Sequence, residues 1–167
     1  MNKTARLSGC GHYRYELGRR WDSDMDTLAV VMLNPSTADA EEDDPTIRRC
    51  ISFAKRDGFG GIEVVNLFGY RATDPDDLMR TAEPSGEDND DAIREVVRGR
   101  VTLCAWGASV PTNHADHVVL VEEIIRCYAR KVVCLGTTKS GAPRHPLYVK
   151  GDTPMTPFAL PKEVSDG

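Results

Sequence analysis

The sequence lacks the features that define several broad classes of protein. It has no long apolar run and no charged and apolar leader at its N-terminus, so we expect a soluble, cytoplasmic protein with no membrane partner. Its five cysteines are odd in number and include no Cys-x-x-Cys pair, which argues against a disulfide framework. Acidic residues outnumber basic ones, and the net charge of −5 argues against non-specific binding to long nucleic acids.

Motifs with an established chemistry are also missing. There is no GxGxxG, no P-loop, no GxSxG and no HExxH string. Cys10 and His12 offer two potential metal ligands, but nothing near them in sequence completes the set that zinc needs. Ser36 has no flanking glycines of the hydrolase elbow, which argues against an acyl-enzyme mechanism. We therefore expect neither a metal nor a cofactor.

The stretch that the rest of the chain is organised around is 28–51. Residues 28–33 are continuously apolar, which is typical of a strand covered on both faces inside a parallel sheet. The run stops at Asn34, and an acidic loop leads to Asp44 and Pro45, which predict an N-cap and a first helical residue. The predicted helix carries one apolar stripe, formed by Ile47, Cys50, Ile51 and Ala54.

The alternation of strand and helix continues along the chain. Three more apolar segments, 62–68, 101–106 and 131–135, predict strands, and helices are predicted to begin near Asn89 and Asn113. This pattern predicts an α/β fold, a three-layer sandwich with a four-stranded parallel central sheet. At 167 residues we expect a single domain over 1–167.

The periphery of this fold has weaker signals. An N-terminal β-ribbon is predicted over 1–26, in which Gly18 begins a turn and Trp21 lies on a returning strand. The segment before Asp88 is predicted to be a loop, and 150–167 an irregular tail. We expect four of the cysteines to act as small hydrophobic residues in apolar runs or stripes: Cys50, Cys104, Cys127 and Cys134.

Polar or unusual residues follow each of the four predicted parallel strands. Because the carboxyl ends of parallel strands share one edge of a sheet, we expect these residues to converge there, where ligands of α/β folds bind. They are Asn34 and Ser36 after the first strand, Asn66, Tyr70 and Arg71 after the second, Trp106 after the third, and Arg144 and His145 after the fourth.

Each of these residues has a structural alternative to a functional role. Asn34 either holds a water or substrate hydroxyl or starts a turn. Asn66 either presents its donor and acceptor to a nucleobase or ties the next loop. His145 either stabilises or protonates a leaving group or is simply solvated. Asp43 and Asp44 suit either a metal or a helix start. Arginines that suit an anion are Arg48, Arg71 and Arg144.

The strings NPSTADAEEDDPTIRR, VVNLFGYRATDP, AWG and GAPRHPLY resemble an uncharacterised bacterial and phage domain family of unknown function, from about Tyr13 to Tyr148. The layout is also similar, more distantly, to the uracil-DNA glycosylase superfamily. The matching positions are Asn34-Pro35, Asn66, Trp106-Gly107 and His145-Pro146. Ser36 and Leu147 depart from that pattern, since well-known members place an aromatic residue and a serine there.

The second resemblance implies a uracil-DNA-glycosylase-like fold and hydrolysis of an N-glycosidic bond. In that case His145 would stabilise the leaving base, Asn66 would hold its edge and Asn34 would position the water, with assistance from Asp39, Asp43 or Asp74. The implied partner is a nucleobase, a nucleotide or the flipped-out base of a nucleic acid. Two alternatives stay open: an enzyme of another kind that acts on free nucleotides, and a non-catalytic base-binding module. The oligomeric state is not predicted.

Overall fold

A computed structural model describes residues 1–36 and 38–161. The strands in these ranges are β1 (Asn2–Leu7), β2 (Arg14–Arg20), β3 (Thr27–Met32), β4 (Gly61–Asn66), β5 (Val101–Cys104), β6 (Lys131–Cys134) and β7 (Thr156–Pro157). The α-helices are α1 (Pro45–Arg56), α2 (Pro75–Arg80), α3 (Asn89–Val97) and α4 (Ala115–Tyr128). Two short 3₁₀ turns occupy Thr112–His114 and Pro146–Tyr148.

All of these strands belong to one mixed sheet. Its order is β1-β2-β4-β3-β5-β6-β7, and the core β4-β3-β5-β6 is parallel. The predicted α/β class and the four parallel strands are confirmed. The predicted sheet was too small, because three further strands extend it. Strand β2 pairs antiparallel with β4, β1 pairs antiparallel with β2, and β7 pairs antiparallel with β6. These additions pair both edges of the parallel core, which would otherwise offer unsatisfied backbone groups.

The N-terminal ribbon exists, but its predicted turn was wrong. Gly18 lies inside β2, where it pairs with Thr4 of β1 and Glu63 of β4. A Cβ atom at this position would lie 2.4 Å from Thr4 Oγ1. The glycine therefore allows close approach of neighbouring side chains and does not begin a turn. Trp21 follows β2 and bonds to the backbone of the segment before β4, so it lies on no returning strand.

Helices cover both faces of the parallel core. Alternate residues of β3 and β4 pack on α1, and the others pack on α3 and α4. The residues on the α1 side include Val30, Met32, Ile62 and Val64, and those on the other side include Ala29, Val31 and Val65. All six residues of β3 are buried, which explains why its sequence shows no polar alternation.

The predicted start of α1 is confirmed. Asp44 is its N-cap and accepts a hydrogen bond from the Ile47 N–H, and Pro45 is the first helical residue. The same Asp-Pro pattern begins α2, which sequence analysis had assigned to a loop. Asp74 caps this helix by accepting from the Asp76 N–H. Because α2 has only six residues, its apolar face is too short to show a periodic signal.

Two further expectations need correction. The tail contains the short strand β7, although it was predicted to be irregular; residues 162–167 of that tail lie outside the described ranges. Cys127 is exposed on α4, whereas Cys50, Cys104 and Cys134 are buried as predicted. Among the helices of the described residues, none has the length and apolar character needed to cross a membrane.

The enclosed position of β4 generates a stability prediction. Val65 is completely buried in β4, so Val65→Asp would place an unpaired charge in the core. We expect a loss of more than about 4 kcal/mol in the free energy of unfolding, measured by urea denaturation. The matched control is Val119→Asp on α4, where the valine is 47% exposed; it should change stability by less than about 0.5 kcal/mol. Equal losses in the two variants would contradict the assignment of β4 to the core.

Candidate functional site

The strand order creates a crevice at the carboxyl ends of β3 and β5. These two strands are neighbours in the sheet. The chain leaves β3 towards α1 on one face, and it leaves β5 towards α4 on the other. Where adjacent parallel strands diverge in this way, their loops separate and leave space for a ligand. This topological switch point therefore locates the site independently of any motif.

A cavity of about 290 Å³ occupies this position, and we call it the switch-point cavity. Trp106, which follows β5, is 5% exposed and contacts Phe158 edge to face, with 6.2 Å between the ring centroids. The cavity thus combines an apolar wall with a few polar groups, as ligand sites usually do. It is lined by Leu33, Pro75, Trp106, Gly107, Ala108, Ser109, Thr138, Arg144, His145 and Tyr148.

His145 enters this cavity with a defined hydrogen-bonding role. Its Nδ1 accepts from the Leu147 N–H at 3.2 Å, so the neutral ring carries its proton on Nε2. Burial lowers the pKa of His145, and the nearby Asp44 carboxylate opposes this effect. The segment after His145 is fastened to α1 by Arg49, whose guanidinium donates to the carbonyls of Pro146 and Val149. His145 is therefore a positioned neutral donor.

The loop after β3 is held by its own polar side chains. Asn34 donates from Nδ2 to the carbonyl of Ala72 at 2.7 Å and to that of Pro35 at 3.0 Å. Its amide nitrogen thus fastens the loops after β3 and β4 together, whereas the structural role suggested by the sequence was the start of a turn. Ser36 Oγ donates to Asp44 Oδ2 at 2.8 Å, while Asp44 Oδ1 caps α1.

Asp43 is committed to an ion pair. Arg19 of β2, whose side chain is fully buried, donates from Nε to Asp43 Oδ1 at 2.7 Å. Arg48 donates to the backbone carbonyl of Asp43 at 2.8 Å. Arg19 and Arg48 therefore both stabilise the segment at the start of α1. Arg144 donates from Nε to the carbonyl of Thr137 and also lines the switch-point cavity.

Asn66 is the unusual residue of this region. It is 1% exposed, and among residues 1–36 and 38–161 neither its amide oxygen nor its amide nitrogen has a hydrogen-bond partner. It pairs in register with Met32, which packs on the α1 face. The alternative role considered for it, tying the next loop, is performed by Asn89, which donates to the carbonyls of Asn66 and Leu67. Asn89 was missed because it reads as an ordinary residue at a helix start.

Arg14 was also missed by sequence analysis. It lies in β2 and is 3% exposed. Its Nη1 donates to the Ala38 carbonyl, and its Nε has no partner among the described residues. The pKa of Arg14 is lowered to about 10, mainly by burial. The charge of Asp44 opposes this lowering, and the charge of Arg71 adds to it. An arginine that alternates with apolar residues along a strand is expected on the solvent-facing side. The pattern therefore gave no sign that Arg14 is buried. Arg71 is half-buried, and the ring of the preceding Tyr70 packs on Tyr13.

These placements divide the predicted site residues into two groups. Trp106, Arg144 and His145 line the switch-point cavity. Asn66 lies on the α1 side of the sheet, and the loop that carries Asn34 and Ser36 leads to the start of α1. Asp44 connects the groups, because it bonds to Ser36 and its charge acts on His145. Within the described ranges, no three histidine, cysteine or acidic side chains are grouped closely enough to hold a metal ion.

The fold and this edge define an α/β protein with polar groups gathered at the carboxyl end of a parallel core. Residues 14–147 match the family described as "Protein of unknown function (DUF1643)", and the chain belongs to this family. The match runs from Arg14 to beyond His145 and so includes both groups of site residues. Neither the curated proteins nor the solved structures that were compared contain a match to the chain. The predicted family of unknown function is thereby confirmed.

The unpaired amide of Asn66 generates a second stability prediction. Asn66→Leu removes the buried donor and acceptor and keeps a similar volume, so we expect the free energy of unfolding to rise by about 1–3 kcal/mol. The melting temperature should rise by about 2–4 °C for each kcal/mol. Asn89→Leu is the control and should destabilise the protein, because its amide is bonded to two carbonyls. Destabilisation by Asn66→Leu would show that the amide has a structural partner.

The lowered pKa of His145 predicts a pH dependence of stability. The unfolded chain binds a proton on this ring near its ordinary pKa of 6.5, whereas the folded protein binds it only at lower pH. Unfolding is therefore favoured as the pH falls below about 6.5. His145→Gln should flatten this dependence, measured by urea denaturation between pH 7.5 and pH 5. His12→Gln is the control, since His12 is exposed. An unchanged slope in His145→Gln would contradict the inferred shift.

Proposed function

We propose that this protein recognises a nucleobase or nucleotide at the carboxyl edge of its sheet and hydrolyses an N-glycosidic bond there. The observation that carries the proposal is the buried, unpaired amide of Asn66. Leaving such a group unpaired costs about 1–3 kcal/mol in stability. Buried polar groups in native proteins are nearly always paired, so an unpaired one calls for a specific explanation. A ligand that pairs with both amide atoms would recover the cost.

A nucleobase edge matches this amide chemically. Asn offers one acceptor oxygen and two donor hydrogens side by side, and bases present donors and acceptors in the same arrangement. A site built to hydrogen-bond a polar ligand also rejects analogues that lack the polar groups. The expected ligand is therefore a base with adjacent donor and acceptor atoms.

The proposal assigns Asn66 and His145 to the same ligand, near the start of α1. Asn66 is on the face of the sheet that α1 covers, and the 3₁₀ turn after His145 packs on α1. The charge of the Asp44 carboxylate at the helix start raises the pKa of His145. In this proposal a ligand lies beside the N-terminus of α1, where backbone N–H groups favour negative charge.

The switch-point cavity supplies apolar surface for such a ligand. Trp106 forms a buried aromatic wall, and Tyr148, which is 79% exposed, lies 5.4 Å from the ring of His145. Stacking of bases on aromatic rings contributes about 1–3 kcal/mol for each base and tolerates any base sequence. The aromatic rings would provide affinity, and the amide of Asn66 would provide selectivity.

The proposed chemistry is cleavage of the bond between the sugar carbon and the base nitrogen. The electron pair of that bond leaves with the base, and the oxygen of water bonds to the sugar carbon. One proton is released from that water and one is taken up by the departing base, so the products are the sugar hydroxyl and the neutral base. The Nε2–H of His145 would donate to the base oxygen on which negative charge accumulates. Because its ring is neutral, His145 acts as a hydrogen-bond donor and not as a cation. Asn34 retains its amide oxygen for the attacking water, since its nitrogen is bonded to backbone carbonyls.

A specific observation favours a second candidate, a binding module without turnover. The carboxylates considered as assisting groups are each engaged elsewhere: Asp43 pairs with Arg19, Asp74 caps α2, and Asp39 accepts from the Glu41 and Glu42 N–H groups. Without a carboxylate to accept a proton, hydrolysis would be slow. Base release measured by chromatography distinguishes an enzyme from a module, because only the enzyme accumulates free base.

The test begins with calorimetric binding of a panel of nucleosides, nucleotides and short single-stranded oligonucleotides. We expect at least one base-containing ligand to bind the wild-type protein. Asn66→Leu should fold normally but should no longer bind that ligand. The control is Asn113→Leu, because Asn113 is exposed in the 3₁₀ turn before α4 and its amide donates to the Met79 carbonyl. No binding of any base-containing ligand to the wild type, or equal binding to Asn66→Leu, would refute the proposal.

His145→Ala then tests the chemical step. If His145 stabilises the departing base, its removal should lower the single-turnover rate by about a hundred- to a thousandfold. Affinity should change much less, because the charge is complete only in the transition state. His145→Gln keeps a donor and should recover part of the rate, and His12→Ala is the unaffected control. Equal losses in rate and affinity would assign His145 to ground-state recognition instead.

A further inference from the structure

Two arginines, Arg14 at the start of β2 and Arg71 on the loop after β4, have no role in the function proposed above. Tyr13 and Tyr70 form an antiparallel bridge. On either side of it, the Arg14 N–H donates to the Gly69 carbonyl and the Arg71 N–H donates to the His12 carbonyl, both at 2.9 Å. Since side chains alternate along an antiparallel pair, Arg14 and Arg71 point to the face opposite the tyrosines. The rings of Tyr13 and Tyr70 meet on the other face, 5.8 Å apart.

The guanidinium of Arg14 makes few hydrogen bonds to the part of the chain that the structure describes. There its Nη1 donates to the backbone carbonyl of Ala38, and its buried Nε has no partner. Within the described ranges, neither Arg14 nor Arg71 forms an ion pair with a carboxylate. A buried arginine almost always has an anionic partner, because an unpaired charge away from water is costly.

The nearest carboxylates are already committed. Asp44 caps α1 with Oδ1 and accepts from Ser36 Oγ with Oδ2. Asp39 Oδ1 accepts from the N–H groups of Glu41 and Glu42, both at 2.8 Å. These carboxylates moderate the positive potential of the arginine pair but do not occupy its donors. The pKa of Arg14 reflects the same neighbours, since Asp44 raises it and Arg71 lowers it.

We infer that Arg14 and Arg71 form a subsite for a phosphate group of the ligand, which makes the substrate a nucleotide and not a nucleoside. Guanidinium groups bind the oxygens of phosphate with two parallel hydrogen bonds, and such charge-assisted bonds are the strongest available to side chains. The inference rests on the proposed function, because it assigns the base of the same ligand to Asn66.

The position of the pair fits this assignment. Asn66 is the last residue of β4, and Arg71 follows it on the next loop. That loop is fastened to the end of β3 by the bond from Asn34 Nδ2 to the Ala72 carbonyl. The loop then continues to Pro75, which lines the switch-point cavity. The arginine pair and the cavity are thus joined by one short segment at the same edge of the sheet.

The test compares calorimetric dissociation constants of three probes: inorganic phosphate, a nucleoside from the panel above, and its monophosphate. Arg71→Gln removes the more exposed member of the pair, and Arg14→Lys keeps a buried charge while removing the planar donors, so that folding is retained. Arg98→Gln is the matched control, because Arg98 is exposed and precedes β5 at the opposite end of the sheet. Circular dichroism melting confirms that each variant is folded.

We expect the monophosphate to bind the wild type at least about tenfold more tightly than the nucleoside, a difference of about 1.4 kcal/mol. Arg71→Gln and Arg14→Lys should each abolish this advantage and weaken the binding of inorganic phosphate, but should leave the affinity for the nucleoside unchanged. Arg98→Gln should bind all three probes as the wild type does. Equal affinities of nucleoside and monophosphate for the wild type, or an advantage that survives both substitutions, would overturn the phosphate subsite and leave the base site standing. Binding of phosphate that depends on both arginines, without binding of any nucleoside or nucleotide, would support the anion subsite and refute the proposed function.

Discussion

The complete enclosure of β3 is the constraint on which the rest of the structure depends. Every residue from Thr27 to Met32 is buried, neighbouring strands pair with both edges, and helices cover both faces. No polar side chain can be solvated along such a strand, so polar groups accumulate where it leaves the sheet. The chain then departs to opposite faces after β3 and after β5, and the space between these departures is the switch-point cavity.

Polar groups at this edge differ in how fully they are satisfied. Asn34, Asp43 and Asp44 each bond to neighbouring protein groups and hold the loops in place. Asn66 and Arg14, by contrast, are almost fully buried and leave donors or acceptors unpaired. A protein normally eliminates such groups because each one reduces its stability. These two residues carry the ligand site proposed above, and the bonded residues hold the surrounding loops in place.

Residue patterns predicted the local structure well where a physical signal was strong. The Asp-Pro start of α1 was recognised, and the four buried strands were identified from their apolar runs. The errors came from signals with two meanings. Gly18 was interpreted as a turn, but it serves close approach between strands. Arg14 alternates with apolar residues and is therefore expected to face solvent. In the structure its side chain is bonded to Ala38, in the loop between β3 and α1.

By itself the sequence determined the parallel strands and the principal helices, because apolar periodicity and capping depend on local patterns. Only the tertiary structure decided the strand order, the antiparallel additions and which polar groups are satisfied. The amide of Asn34 bonds to Ala72, 38 residues away, whereas the amide of Asn66 has no partner within the described ranges. Hydrogen bonds of this kind depend on how distant segments pack in space, and no periodicity in the sequence records that.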